Sequence, residues 1–294
     1  MALIDDLQKK IESLDDFKAI TSRILIYIPE VISSMREDRG YVIIESTSGG
    51  TQKFTRPYNS ELFIKDPSQF RTDYDDFERI LNSVSSGTCD FSEDNHKLIN
   101  KVTYTMQQSI GIALDLLANQ NANRKHVGNR FEELIGLIVD AIGIKNKKIV
   151  LKIPYENEGV YSCETDLVLS PYEQVKSDNS TIDENEVVVS LKTSSKDRMG
   201  KIFIDKILMS KFVGRDVKVV GIFLNDIQRK GQEKVGYTFV AGLFMVYTNF
   251  LTKLDGVFFV DPPPHADKEP YNVHIKRFSE FILSGIKDML NSTS

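Results

Sequence analysis

The stretch VVVSLKTSSKDRMGKIFIDK, Val187–Lys206, holds three kinds of structure in twenty residues. Its β-branched start, Val187-Val188-Val189, is short and uninterrupted, the pattern of a strand buried on both faces. Alternation along a strand puts Ser190 and Lys192 on one face. A polar turn, TSSKDR (193–198), separates this strand from MGKIFIDK (199–206), which has helical character. A lysine at the end of a buried strand has two explanations. It snorkels to solvent on its apolar stem, or its charge is placed for chemistry.

Similar short apolar segments lie on either side. KIVLKIPY (148–155), TDLVLS (165–170), EVVVSLK (186–192) and KVVGIFLND (218–226) read as strands, with a helix between the last two. GNRFEELIGLIVDAIG (128–143) reads as a helix of about four turns with glycine near each end. Helix, strands, helix, strand is an α/β pattern with a mixed sheet. GVFFVDPPP (256–264) reads as a strand stopped by three prolines, and IKRFSEFILSGIKDML (275–290) as an amphipathic helix. Residues 238–251 are apolar throughout, and periodicity does not choose between helix and buried strand.

The first 120 residues differ. Leu3, Leu7, Ile11, Leu14 and Phe17 recur at three- and four-residue spacing, a helical period that continues through 19–36. Residues 39–65, with a Gly-Gly pair among polar residues, read as a short hairpin or irregular loop. Residues 73–84 and 94–119 again read as helices. The polar break NQNANRK (119–125) is the expected boundary, giving a mainly helical region over 1–120 and an α/β domain over 121–294.

Composition narrows the class. The chain has 294 residues, 41% hydrophobic and 27% charged, enough to bury a sizeable core. No apolar run approaches the roughly 20 residues of a membrane-spanning helix. The first residues, MALIDDLQKKIES, carry acids where an export signal needs a basic start and a long apolar run, and the two cysteines, Cys89 and Cys163, form no metal or disulfide pattern. A reduced, cytoplasmic setting with no membrane partner is the expectation. The histidines, 96, 126, 265 and 274, fit no zinc spacing. Net charge is −5, yet Lys192–Lys218 holds eight bases and three acids, so that segment is about +5 within an acidic chain. Charge alone favours a solvated helix face for it.

Asp166 opens the strand at 165–170, and Lys192 ends the strand at 186–192. A carboxylate holds a hard cation through oxygen, and an adjacent ammonium stabilises charge developing on a phosphate. Asp166, then twenty-odd residues, then a lysine ending an apolar strand resembles the PD-(D/E)XK nuclease superfamily. That superfamily places Glu or Asp two residues before the lysine, where this chain has Ser190. The same departure is found in the type II restriction endonucleases that read CCGG or CCNGG. They carry the second acid on the following helix, about 13 residues after the lysine, which here is Asp205.

The resemblance covers about residues 128–206, with LDGVFFVDPP its expected continuation. It implies a restriction-endonuclease-like mixed sheet flanked by helices. It also implies a glutamate on the preceding helix, for which Glu132 and Glu133 compete. Glu132 shares a stripe with Ile135, Gly136 and Val139 and is favoured. Asp166, Asp205 and Glu132 are thus expected to hold Mg²⁺, with Lys192 as the catalytic lysine. The triplet Lys196-Asp197-Arg198 has donors and an acceptor suited to G·C pairs in a major groove. Thr193, Ser194 and Ser195 are candidates for phosphate contact. The function implied is Mg²⁺-dependent cleavage of double-stranded DNA at a palindrome with a CCGG-like core. A homodimer or dimer of dimers would match the palindrome, and a companion methyltransferase would protect the host. The alternatives are a structure-directed repair or recombination nuclease of the same fold, and an inactive DNA-binding protein.

Overall fold

The structure, a computed structural model, describes residues 3–48, 51–117, 120–195 and 198–291. In chain order the elements begin α1 (Leu3–Gln8), α2 (Leu14–Val31), β1 (Ser34–Asp38), β2 (Tyr41–Ser48), β3 (Thr51–Phe54), β4 (Tyr58–Asn59), α3 (Pro67–Ser86), α4 (Glu93–Leu117) and α5 (Gln120–Ala141). There follow β5 (Lys145–Lys147), β6 (Val150–Tyr155), β7 (Gly159–Glu164), β8 (Leu167–Ser170), β9 (Val187–Lys192), α6 (Met199–Val213), β10 (Val219–Phe223), β11 (Ile227–Lys230), β12 (Lys234–Tyr237) and α7 (Ala241–Phe250). The chain closes with β13 (Gly256–Phe259), β14 (Ile275–Arg277), α8 (Phe278–Glu280), a π turn over Phe281–Gly285, and α9 (Ile286–Asn291).

Compactness divides the chain inside α5. One unit is Met1–Ile138 with Asp226–Thr238, and the other is Val139–Asn225 with Phe239–Ser294. The polar stretch at 119–125, read from sequence as a boundary, is helical from Gln120 onward. Neither Pro nor Gly interrupts Gln120–Val127, and its Gln, Ala, Arg and Lys cost a helix little.

The first unit is helical around a small sheet. Within α4, Ile99, Val102, Tyr104, Met106, Ile110 and Leu114 are each 0% exposed, the all-round burial of a central helix. Some of its polar groups tie it to the loop before α3: the Thr105 hydroxyl accepts the Ile64 N–H at 3.0 Å and the Gln108 amide donates to the Pro57 carbonyl at 2.8 Å. β2 is the hub of an antiparallel sheet, pairing with β1, β3 and β4. The helical period of 19–36 therefore ends early, at Val31, and Ser34–Asp38 is strand. The hairpin β11–β12 belongs to this unit. Ile227 and Val235 pack with Tyr41, Ile43 and Phe54, and the Val235 N–H donates to Asp38 at 2.8 Å.

The second unit is built on a six-stranded mixed sheet, ordered β14-β13-β10-β9-β8-β5. β14, β13, β10 and β9 are parallel to one another, β8 pairs antiparallel with β9, and β5 pairs antiparallel with β8. β10 is buried at every position and β9 at four of six, which explains their continuous apolar runs. KIVLKIPY is not in this sheet; β6 pairs with β7 as a separate hairpin. The ambiguous 238–251 segment is a helix, α7. Phe244, on its inner face, meets Phe203 of α6 edge to face and Phe239 in a tilted ring contact. The segment 275–290 begins as a sheet strand, because Ile275–Arg277 finds the edge of β13 before the helical turns start.

Candidate active site

The register of the sheet positions the first two groups. Leu167 pairs with Val189 and Val168 with Val188. Asp166 lies one residue beyond this ladder, and its carboxylate is used by the neighbouring strand. Asp166 Oδ2 accepts the Leu191 N–H at 2.7 Å and the Ser190 hydroxyl at 3.4 Å, and it forms a short ion pair with Lys192 Nζ. Side-chain exposures of 16% for Asp166 and 19% for Lys192 place this pair in a partly desolvated setting, where its charges are worth more than at an open surface. Lys192 is thus not snorkelling; its head is held by a carboxylate at the strand end.

The third group comes from α6. One face of this helix, carrying Lys201, Ile202, Asp205 and Met209, lines the same cleft as Asp166, Ser190 and Lys192, with a volume of about 210 Å³. Its opposite side, through Gly200 and Phe203, rests on α7; a Cβ at Gly200 would stand 3.0 Å from the Tyr247 ring. The 13-residue interval between Lys192 and Asp205 crosses a turn and settles in register because the helix must bury Ile202 and Phe203. Asp205 is half-buried and forms an ion pair with Lys201 at 2.5 Å, one turn earlier. Cys163, 3% exposed, also lines the cleft. Burial first, and then the charge of Asp205, push its thiol above the usual range, so it is a poor nucleophile here. For Lys201, burial pulls the ammonium down, but the hydrogen bond and charge of Asp205 outweigh it and hold it charged.

Asp166, Ser190, Lys192 and Asp205 are therefore brought into one cleft. Glu132 sits on the part of α5 that belongs to the first unit, half-buried. Its competitor Glu133 accepts the Ile11 N–H at 3.1 Å and pairs with Arg130 at 2.7 Å. Glu133 is thus tied to the N-terminal segment rather than facing solvent. Arg198 is exposed at the start of α6, while Lys196 and Asp197 lie outside the described residues. Ser194 is half-buried. Ser195 is 2% exposed, with its N–H donating to the Asn225 carbonyl at 3.3 Å, so it braces the loop and is not open to a phosphate.

The basic segment also needs revision as a surface. Lys206 is buried against Asp255 at 2.7 Å, Lys218 donates to the Met289 carbonyl at 3.0 Å, and the Arg215 guanidinium binds the Ile182 carbonyl. These bases secure the fold rather than forming a free stripe. Lys201 is the cleft residue that sequence reasoning passed over. Its signal was the i, i+4 spacing to Asp205.

The donor set suits a hard cation. Two carboxylates face one cleft and each is matched by an ammonium, so a divalent ion would replace existing positive charge rather than enter an apolar hole. Among the described residues no group of three or more His, Cys, Asp or Glu side chains is gathered as a metal cage. No described helix is long and apolar enough to cross a membrane.

This is the mixed α/β architecture of the restriction endonucleases, and comparison with solved structures bears out the fold. The chain is similar to Kpn2I, described as a Type IIP restriction endonuclease, with a TM-score of 0.68 at 14% identity over 94% of this chain and 91% of that one. It also matches the complex of restriction endonuclease PspGI with its substrate DNA, at a TM-score of 0.46 and 11% identity over 75% of this chain and 89% of that one. No protein-family model matches the chain, and no curated protein matches it.

Proposed function

We propose that the protein is a type II restriction endonuclease, an Mg²⁺-dependent enzyme that hydrolyses both strands of DNA at a palindrome with a CCGG-like core. The supporting observation is that Asp166, Lys192 and Asp205 line a single cleft at the strand ends of this fold. Asp166 and Asp205 would hold the ion, with Glu132 as a further ligand on the strength of the sequence resemblance. When bound, Mg²⁺ supplies the charge that acidifies water and neutralises the leaving oxygen. The chain's own groups do the rest. The Leu191 N–H and Ser190 hydroxyl fix the Asp166 carboxylate, and that carboxylate fixes the Lys192 ammonium. Lys192 then stands where negative charge develops on the phosphate and stabilises it without reorganising.

Base recognition is assigned to the turn after the catalytic strand. Arg198, exposed at the start of α6, would donate to guanine, with Lys196 and Asp197 as its neighbours in sequence. Arg198→Ala is expected to lose about 1–3 kcal/mol of discrimination between cognate and single-mismatch sites. Comparing cleavage rates on the two substrates measures this; an unaltered ratio removes Arg198 from base recognition. A homodimer or dimer of dimers, a companion methyltransferase and a cytoplasmic setting belong to the same proposal.

Incubating the protein with plasmid DNA and Mg²⁺ tests the function. Discrete fragments with a common end sequence, lost on chelation, are the expected result. Nicking that follows DNA structure rather than sequence would instead indicate a repair or recombination nuclease. Tight binding with no cleavage would indicate an inactive DNA-binding protein.

A further inference from the structure

Among the described residues two bases line the cleft, Lys192 and Lys201, and each is paired with one of its aspartates. The two pairs are built differently. Asp166 and Lys192 are 16% and 19% exposed, so both heads are enclosed. Asp205 is enclosed as well, at 20%, but its partner Lys201 is 57% exposed. The carboxylate is the fixed member of this second pair, and the ammonium is the movable one, on a flexible four-carbon stem. The next base along α6 shows the contrast: Lys206 is 4% exposed and held between Asp255 and Asp216. An ion pair as open as Lys201–Asp205 is weak, so a cation of higher charge displaces it easily. Tyr161 stands close enough for its phenol to act on the Lys201 ammonium. It is 48% exposed and, two residues from Cys163 on β7, shares the strand face that lines the cleft. Its hydroxyl is a hydrogen-bond donor of the kind that meets phosphate oxygens.

We infer that Lys201 is a two-position cation: it holds Asp205 until a divalent ion takes that carboxylate, and then turns to a backbone phosphate of the DNA lying at the cleft. The inference rests on the nuclease reading and adds to it a phosphate contact and a link between metal and DNA binding. Charge balance carries the argument. Once Asp205 ligates a divalent ion, the Lys201 ammonium faces a like charge at contact distance and is repelled. It stays charged, and the other cleft aspartate is already occupied by Lys192. The remaining anion within reach of a mobile stem is the phosphate backbone that Lys192 acts on. In the free protein Lys201 competes with the metal for Asp205. In the complex it adds to the grip on DNA. The two ligands therefore strengthen each other's binding, and by linkage they do so equally.

Lys201→Met in the full chain tests this through two affinities that should move in opposite directions. Calorimetric titration with Ca²⁺ alone, a hard ion that takes the same oxygen ligands, should show binding about fivefold tighter than wild type, because the competing ammonium is gone. Binding of a short duplex with a central CCGG, measured with saturating Ca²⁺, should be about tenfold weaker. The slope of log affinity against log salt should fall by about 0.9, the loss of one phosphate contact. Without a divalent ion that slope should match wild type, since Lys201 is then on Asp205 in both comparisons. Lys201→Arg should restore DNA affinity and slope. A general loss of structure would weaken both ligands together. Metal affinity that is unchanged or lower in Lys201→Met overturns the inference, and so does an unchanged salt slope in the metal-loaded complex. In either case a wild-type protein that binds the duplex leaves the nuclease reading standing. A wild-type protein that binds neither Ca²⁺ nor DNA overturns both.

Discussion

Asp166→Asn is expected to reduce DNA cleavage on the order of a thousandfold or more while the protein remains folded. The amide that replaces the carboxylate can still accept the Leu191 N–H, so the strand end keeps its geometry. What disappears is the negative charge that orients Lys192 and would help hold Mg²⁺. Lys192, at 19% side-chain exposure, is left without its short ion pair, and the unmatched ammonium should lower stability by about 1–3 kcal/mol. Lys192→Ala should remove activity to a similar degree. The double substitution should be little worse than either alone, since the two groups act as one unit. Single-turnover cleavage rates and thermal unfolding of the three variants provide the measurement. Cleavage by Asp166→Asn within tenfold of wild type would sink the site assignment.

Lys206→Met should affect stability most, although Lys206 sits only one residue from the cleft residue Asp205. Its side chain is 4% exposed, and Nζ reaches Asp255 at 2.7 Å and Asp216 at 3.4 Å. The same Asp255 oxygen accepts the Val219 N–H at 2.7 Å, so the lysine ties α6 to the start of β10. Breaking a buried pair from one side costs about 3–5 kcal/mol. Asp255 keeps its backbone donor and is 28% exposed, so the lower end, about 3 kcal/mol, applies. For a chain of this size that is a fall of about 5–10 °C in the midpoint of thermal unfolding. A change of less than about 2 °C would mean that Lys206 contributes no net stability. Lys201→Met makes a useful contrast: its pair with Asp205 is 57% exposed on the lysine side, and such pairs contribute under about 1 kcal/mol.

Strands with continuous apolar runs were legible because burial on both faces leaves no polar positions, as in β9 and β10. The helix α7 was not, since an all-apolar segment has no period to read. The small strands β5, β7 and β14 were missed for a different reason. They are three to six residues long and mostly exposed or at a sheet edge, so pairing partners, not their own composition, make them strands. The sheet in the first unit was partly hidden because Ser34–Asp38 continues a helical-looking pattern and becomes a strand only by lying beside β2.

Local spacing by itself determined that Asp166, Ser190, Lys192 and Asp205 sit at the ends and faces of particular elements, because alternation along a strand and 3.6-residue turns are properties of the backbone. Which of the many charges work in the cleft was a tertiary matter. Lys206 and Asp205 are adjacent in sequence, yet one is buried against Asp255 and the other opens to the cleft. Ser195 looked as available as Ser194 until the fold enclosed it. A helix turns each successive side chain by 100°, and only the neighbours on each side decide whether that direction leads to a core, a carboxylate or water.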